Sequence, residues 1–217
     1  TARTESSGTP ALRAHSSTCF GIKKSIEIIS FCAMSAQDIH CAWHCMRALE
    51  GIKVVEFGDG VAVGYCGALL RSCGSSVIKI ESPKNGDSVR HLPPFAEGIC
   101  SPEASGFHTF LNAGKSSVAI NLEETGGATL AKQLCLDADV VLEALGPETA
   151  NRIGVGYKVL TADSASLVMV SLSWFGADGP RRNWVGNDAV VQALAGFIYP
   201  IGAKEGPPII PGGYQAQ

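Results

Sequence analysis

From Leu49 onward, short apolar blocks alternate with amphipathic stretches, and the period of the pattern switches between two and about 3.6 in a regular order. Residues 51–57 form an apolar block interrupted only by Lys53 and Glu56, which predicts a buried strand. Gly58, Gly60 and Gly64 follow, then helical spacing over 65–71 and a second strand block over 76–81. That order predicts a βαβ unit. Such a unit sets a tight turn and a helix N-terminus at the carboxyl end of a parallel strand, where backbone N–H groups favour an anionic ligand.

The alternation continues downstream. Residues 82–106 carry Pro83, Pro93, Pro94 and Pro102 and predict a long loop region. Strands are expected at 117–122, 139–145 and 167–172, a helix at 123–136, short helices at 149–153 and 157–161, and helical spacing returns at 188–197. Strand and helix in alternation point to the α/β class with a doubly wound, mostly parallel sheet.

Composition narrows the function classes. With 217 residues, 46% of them hydrophobic and 17% charged, the chain can bury a sizeable core. A net charge of −3 without Lys/Arg blocks provides no footprint for nucleic acid or an anionic membrane, so small-molecule chemistry is expected. The eight cysteines are scattered through strong α/β patterning and read as reduced thiols. An intracellular location follows as an expectation, cytoplasmic first and mitochondrial second. No apolar run is long enough to span a membrane, and the apolar stretch 26–34 is broken by Glu27.

Residues 1–47 lack sustained periodicity and are expected to be an unstructured extension or linker. Within them His40, Cys41, His44 and Cys45 are of zinc-ligand type, but no second pair follows at finger-like spacing, and no metal site is expected. The Gly58-x-Gly60 turn with Glu81 further on loosely imitates a dinucleotide fingerprint. Its third glycine, Gly64, comes one residue late, and NAD binding is disfavoured on that ground.

Longer strings are more specific. Residues 49–57, Val77 to Glu81 with Gly86-Asp87-Ser88-Val89-Arg90, Phe110 to Lys115, Ala138 to Glu143, Phe175 to Pro180 and Asn187 to Gly196 occur in order, ending with Pro211-Gly212-Gly213-Tyr214. Together they closely resemble the class III coenzyme A transferases, with residues 48–217 matching the N-terminal part of the family's large domain. The resemblance implies a Rossmann-like sheet, incomplete at the C-terminus of this sequence. It also implies coenzyme A or an acyl-CoA as substrate with no tightly bound cofactor, a carboxylic acid as second substrate, and an interlocked homodimer for the complete family protein.

Family chemistry, on the same resemblance, runs through an aspartate that forms a mixed anhydride and passes CoA between acids, because a carboxylate is both nucleophile and leaving group. The matching position here is Gln217, whose amide is a poor nucleophile. Contacts to CoA are implied for Ala62, Ile120, Leu145 and Arg152. Arg152 reads equally as a solvated charge capping a short helix. Asp59, Val61, Ser82, Glu123 and Ala144 depart from the family pattern and imply weak CoA affinity. The related racemase branch needs a histidine where this chain has Asn187, so that chemistry is disfavoured, and Asp188 is expected to cap a helix. His91 and His108 are expected to be structural, the latter near a strand. Three readings stand: a nucleophile-lacking half or fragment of a transferase, a noncatalytic acyl-CoA-binding or subunit-pairing relative, or a transferase whose aspartate lies just beyond Gln217.

Overall fold

The computed structural model describes residues 47–216, so Gln217 and the expectations for residues 1–46 lie outside the described residues. Five strands form one all-parallel sheet: β1 (Lys53–Phe57), β2 (Ser76–Glu81), β3 (Ser116–Ala119), β4 (Val140–Glu143) and β5 (Val168–Ser171), in the order β3-β2-β1-β4-β5. The α-helices are α1 (Val61–Ser72), α2 (Gly106–Asn112), α3 (Thr125–Leu136), α4 (Pro147–Arg152), α5 (Tyr157–Asp163) and α6 (Asp188–Leu194). This is the expected Rossmann-like α/β architecture, with every pairing parallel. No described helix is long and apolar enough to cross a membrane.

Period-two alternation sends the strand residues to two cores. Val55, Phe57, Ile80 and Val141 face one side and pack with Ala131, Cys135, Ala150 and Leu160 from α3, α4 and α5. Val54, Val77 and Leu142 face the other side, under Val63, Cys66 and Leu70 of α1. Glu56 and Lys79 share the α1 side and stand directly opposite one another in the β1–β2 register. Both are buried, and the apolar reading of these strands did not foresee them.

Gly58 joins β1 to α1 with φ of +108°, a conformation that side chains resist. A Cβ there would also sit 2.7 Å from the backbone nitrogen of Ala144, just after β4. The turns leaving the two central strands are thus in backbone contact, and a small residue at 144 accommodates the approach.

The differences from expectation have local causes. Helix α1 begins at Val61 because Gly60 already supplies the N-terminal turn, so the helical spacing over 65–71 captured only its later part. The 82–106 region contains two 3₁₀ turns, Ser88–His91 and Ala96–Gly98, of which the first is capped by the Asp87 side chain. His108 lies on α2 rather than near a strand; Ser105 caps that short helix through the His108 N–H. At α6, Asn187 caps the helix by accepting the Val190 N–H at 2.9 Å, displacing Asp188 from that role.

Candidate functional site

Connections from β1 run one way along the sheet to β2 and β3, and β4 and β5 lie on the other side. Open α/β sheets bind ligands outside the strand carboxyl ends at such a reversal. A groove of about 720 Å³ lies there, walled by Gly58 and Asp59 after β1, residues 81–88 after β2, 120–123 after β3, and Leu145, Thr149 and Arg152 after β4.

Three of the four positions implied to touch CoA meet in this groove. Ile120 is buried, and its N–H donates to the Glu81 carbonyl, carrying the β2–β3 pairing one residue past the strand. Leu145 is held by Glu143, whose buried carboxylate accepts the Leu145 and Gly146 N–H groups at 2.8 and 3.2 Å. Arg152 sits exposed in the last turn of α4, a place compatible with a ligand contact and with a charge at a helix C-terminus. Ala62 lies half-buried in the first turn of α1 and is not part of the groove wall.

Beneath the groove lies a chain of buried charges. Lys79 Nζ is 2.6 Å from Glu56 Oε1 and 2.7 Å from Asp87 Oδ2, the second being a charge contact whose angle falls short of a hydrogen bond. On the other side of Glu56, Lys115 Nζ donates to Oε2 at 2.7 Å, and also to the Gly64 carbonyl and Asn112. Burial pulls the Lys79 ammonium down, but Glu56 and Asp87 outweigh it and hold it above its ordinary value. For Lys115 burial wins, leaving it lowered.

Glu81, at the end of β2, is gripped by both Arg90 Nε and Nη2 at 2.7 and 3.0 Å and by the Ser117 hydroxyl at 2.8 Å. Burial raises its carboxyl, but these donors and the Arg90 charge bring it down to about 2. A folded-state value below the ordinary 4.5 means that the folded chain binds fewer protons than the unfolded one, so this stabilisation is present above 4.5 and is lost as pH falls toward 2. Acid titration followed by circular dichroism is expected to show a loss of about 1–2 kcal/mol from this group over that window, after allowance for solvent screening. Glu81→Gln should flatten that part of the curve.

The walls of the groove have mixed charge. Lys84 and Arg152 supply cations and His91 an imidazole; Asp59, Asp87 and Glu123 supply acids. The Gly60 N–H, which the turn could offer to an anion, is given to Asp87 Oδ1 at 3.3 Å. The cations of the groove wall are those of Lys84 and Arg152. Sequence reading treated His91 as structural and passed over Lys84, Asp87 and the Glu56–Lys79 pair; the usable signal was one charge in each of two neighbouring strand blocks.

The segment before Gln217 is anchored elsewhere. Tyr214 stacks on Phe107 of α2 with ring centroids 5.3 Å apart, and the Ala216 N–H donates to Asp188 Oδ1 at 2.7 Å. Asp188 Oδ2 is in turn held by the Gln192 side chain. His108 Nε2 is buried without a partner among the described residues, and burial pushes its imidazole below its ordinary value. Among the described residues no three His, Cys, Asp or Glu side chains converge as metal ligands would.

Comparison with known proteins bears on the family and the fold. Residues 49–216 match the model of CoA-transferase family III. An acyl-CoA transferase of Fusarium pseudograminearum is 34% identical over 166 residues, covering 75% of this chain and 36% of the relative. Succinate–glutarate CoA-transferase of Agrobacterium fabrum is 32% identical over 163 residues, covering 74% of this chain and 41% of the relative. Among solved structures, a CAIB/BAIF family protein from Brucella suis superposes with a TM-score of 0.70 at 30% identity, covering 77% of this chain and 44% of that one. The chain thus spans about two fifths of the length of these curated relatives. With the sheet order, the groove and a match that runs through nearly all the described residues, the chain belongs to CoA-transferase family III.

Proposed function

We propose that the groove holds a coenzyme A thioester and that the protein takes part in moving CoA between an acyl-CoA and a carboxylic acid. The observation that carries this reading is the convergence of Ile120, Leu145 and Arg152 on one groove at the strand carboxyl ends. Relatives named as CoA-transferases for succinate and glutarate, and for acetyl-CoA and oxalate, support small carboxylic acids as the second substrate class. A homodimer is part of the same proposal.

The chemistry separates two versions of the reading. A carboxylate attacking the thioester carbonyl forms an acyl–oxygen bond, expels the CoA thiolate and leaves a mixed anhydride; the thiolate then attacks the carbonyl derived from the enzyme carboxylate, releasing the first acid. Gln217 carries an amide at the position matched to that carboxylate, so turnover needs a carboxylate supplied from elsewhere. The second version, favoured by that glutamine, is a relative that binds acyl-CoA or pairs with a subunit without turnover.

Calorimetry with coenzyme A and exchange of labelled acid into acyl-CoA test the two together. Binding with exchange supports a transferase, binding without exchange supports an acyl-CoA-binding relative, and no binding overturns the CoA groove and leaves subunit pairing alone. Arg152→Ala is expected to weaken CoA binding about tenfold, the low end for a charge-assisted contact because the guanidinium is exposed. Unchanged affinity would assign Arg152 to the helix end alone.

A further inference from the structure

Many backbone donors around the groove are already engaged. At a strand-to-helix turn of this kind, converging N–H groups ordinarily meet a ligand phosphate. Here the Gly60 N–H is given to Asp87 Oδ1 at 3.3 Å and the Ser88 N–H to Asp59 Oδ1 at 2.6 Å. In the loop after β2, the N–H groups of Gly86, Asp87 and Val89 go to the Ser82 carbonyl, Glu81 Oε2 and Asp87 Oδ1. After β4, Leu145 and Gly146 both donate to Glu143. A phosphate reaching any of these donors would have to displace an internal oxygen, and most of those oxygens belong to carboxylates.

The two cations of the wall are not engaged in this way. Lys84, in the loop after β2, and Arg152, in the last turn of α4, are exposed and line the groove. Neither forms an ion pair among the described residues. β2 and β4 flank β1 in the sheet, so the two cations come from elements on either side of the central strand. The Lys84 N–H is itself given to Ser82 Oγ at 3.3 Å, so this residue offers a ligand its ammonium and not its backbone. Of the acids on the same wall, Asp87 is paired with Lys79 inside the fold, and Asp59 Oδ1 is occupied by the Ser88 N–H.

The structure assigns Lys84 as a ligand-binding residue: with Arg152 it holds the phosphates of the ligand by side-chain charge from the rim, in place of a backbone-amide cradle. This inference deepens the CoA reading and rests on it for the identity of the ligand. An exposed ammonium acts on a phosphate as a point charge. Its contribution falls with salt, survives exchange for another cation, and is indifferent to the thiol arm of the ligand.

The test uses calorimetry on the full chain with three probes: coenzyme A, adenosine diphosphate, which has phosphates without the thiol arm, and pantetheine, which has the arm without phosphates. Lys84→Gln removes the charge and Lys84→Arg keeps it. Lys158→Gln makes the same charge change at an exposed position of α5 outside the groove wall. At about 50 mM salt, Lys84→Gln is expected to weaken binding of both phosphorylated probes about five- to tenfold. At about 500 mM salt the difference should shrink to about twofold or less, because screening removes most of an exposed charge contact. Lys84→Arg should stay within about twofold of the native chain, and Lys158→Gln should match it. Pantetheine should not distinguish the four chains.

Equal affinity of Lys84→Gln and the native chain for the phosphorylated probes at low salt would overturn the role of Lys84 while leaving the CoA reading in place. A Lys84→Arg chain as weak as Lys84→Gln would overturn it too, and so would a pantetheine affinity that falls in step with that for CoA. Adenosine diphosphate bound through Lys84 by a chain that does not bind coenzyme A would remove the CoA reading and keep the phosphate contact. A native chain that binds neither phosphorylated probe would overturn both.

Discussion

Lys79→Met will destabilise the chain by about 3–5 kcal/mol, measured as a shift in the urea unfolding midpoint with the slope unchanged. Methionine matches the aliphatic stem of lysine but removes the ammonium that lies between Glu56 and Asp87. The side chains of all three residues are about 1% exposed or less. Water cannot replace the missing charge, and two carboxylates are left facing one another in a low-dielectric interior. Lys115 remains on the far side of Glu56 and relieves only that partner. The sharper test is the double change Lys79→Met with Asp87→Asn, which removes the ammonium and one of the two carboxylates it separates, keeps a side-chain acceptor for the Gly60 and Val89 N–H groups, and leaves Glu56 paired with Lys115; it should recover part of the loss, because a buried ion pair contributes less than the penalty for breaking it. A single-variant loss below about 1 kcal/mol would show that the buried groups are not held as a charged chain.

Gly67→Ala will destabilise the chain by about 3 kcal/mol, although alanine in a helix interior is ordinarily about 1 kcal/mol better than glycine. Gly67 lies in the middle of α1, where its missing side chain leaves room for the Glu56 carboxylate. A Cβ there would overlap Glu56 Oε2 and come 2.9 Å from Lys115 Nζ. The carboxylate has nowhere to move, because Lys79 and Lys115 grip its two oxygens. Either α1 lifts from the sheet or the ion pairs part, and both routes cost more than the helix propensity returns. Thermal unfolding of Gly67→Ala beside an exposed helix-surface control such as Gly126→Ala, where nothing lies within 4 Å, separates the packing conflict from propensity. A stabilised Gly67→Ala chain would show that α1 sits farther from the sheet than described.

How far the fold could be read in advance depended on the range of each signal. The blocks at 51–57 and 76–81 are apolar enough to announce buried strands, and the structure has β1 and β2 there. The short helix α2 was missed because its context is prolines and turns, and its stability comes from packing on α1 and capping by Ser105 rather than from propensity. Ile120, Leu145 and Arg152 came from family resemblance, and their convergence depends on strand order, which no local pattern encodes. Lys79 and Asp59 show the limit most clearly. A single charge in a strand block looks like a tolerated polar position until register places Glu56 opposite it. Asp59 looks like a departure from the family turn until the Ser88 N–H is found 2.6 Å away.

The contact between the Gly58 turn and Ala144 has a consequence for how ligand preference can be altered. Gly58 lines the groove and its backbone touches that of Ala144 with no side chain between them, so position 58 cannot take a side chain without parting β1 from β4. The walls are built differently: residues 82–88 and 121–123 are segments between strands, exposed at 82–85, 88 and 123 and half-buried at 86, 121 and 122. Redesign for a bulkier or differently charged acyl carrier should therefore diversify those two segments apart from the buried Asp87, and hold 58, 87 and 144 constant.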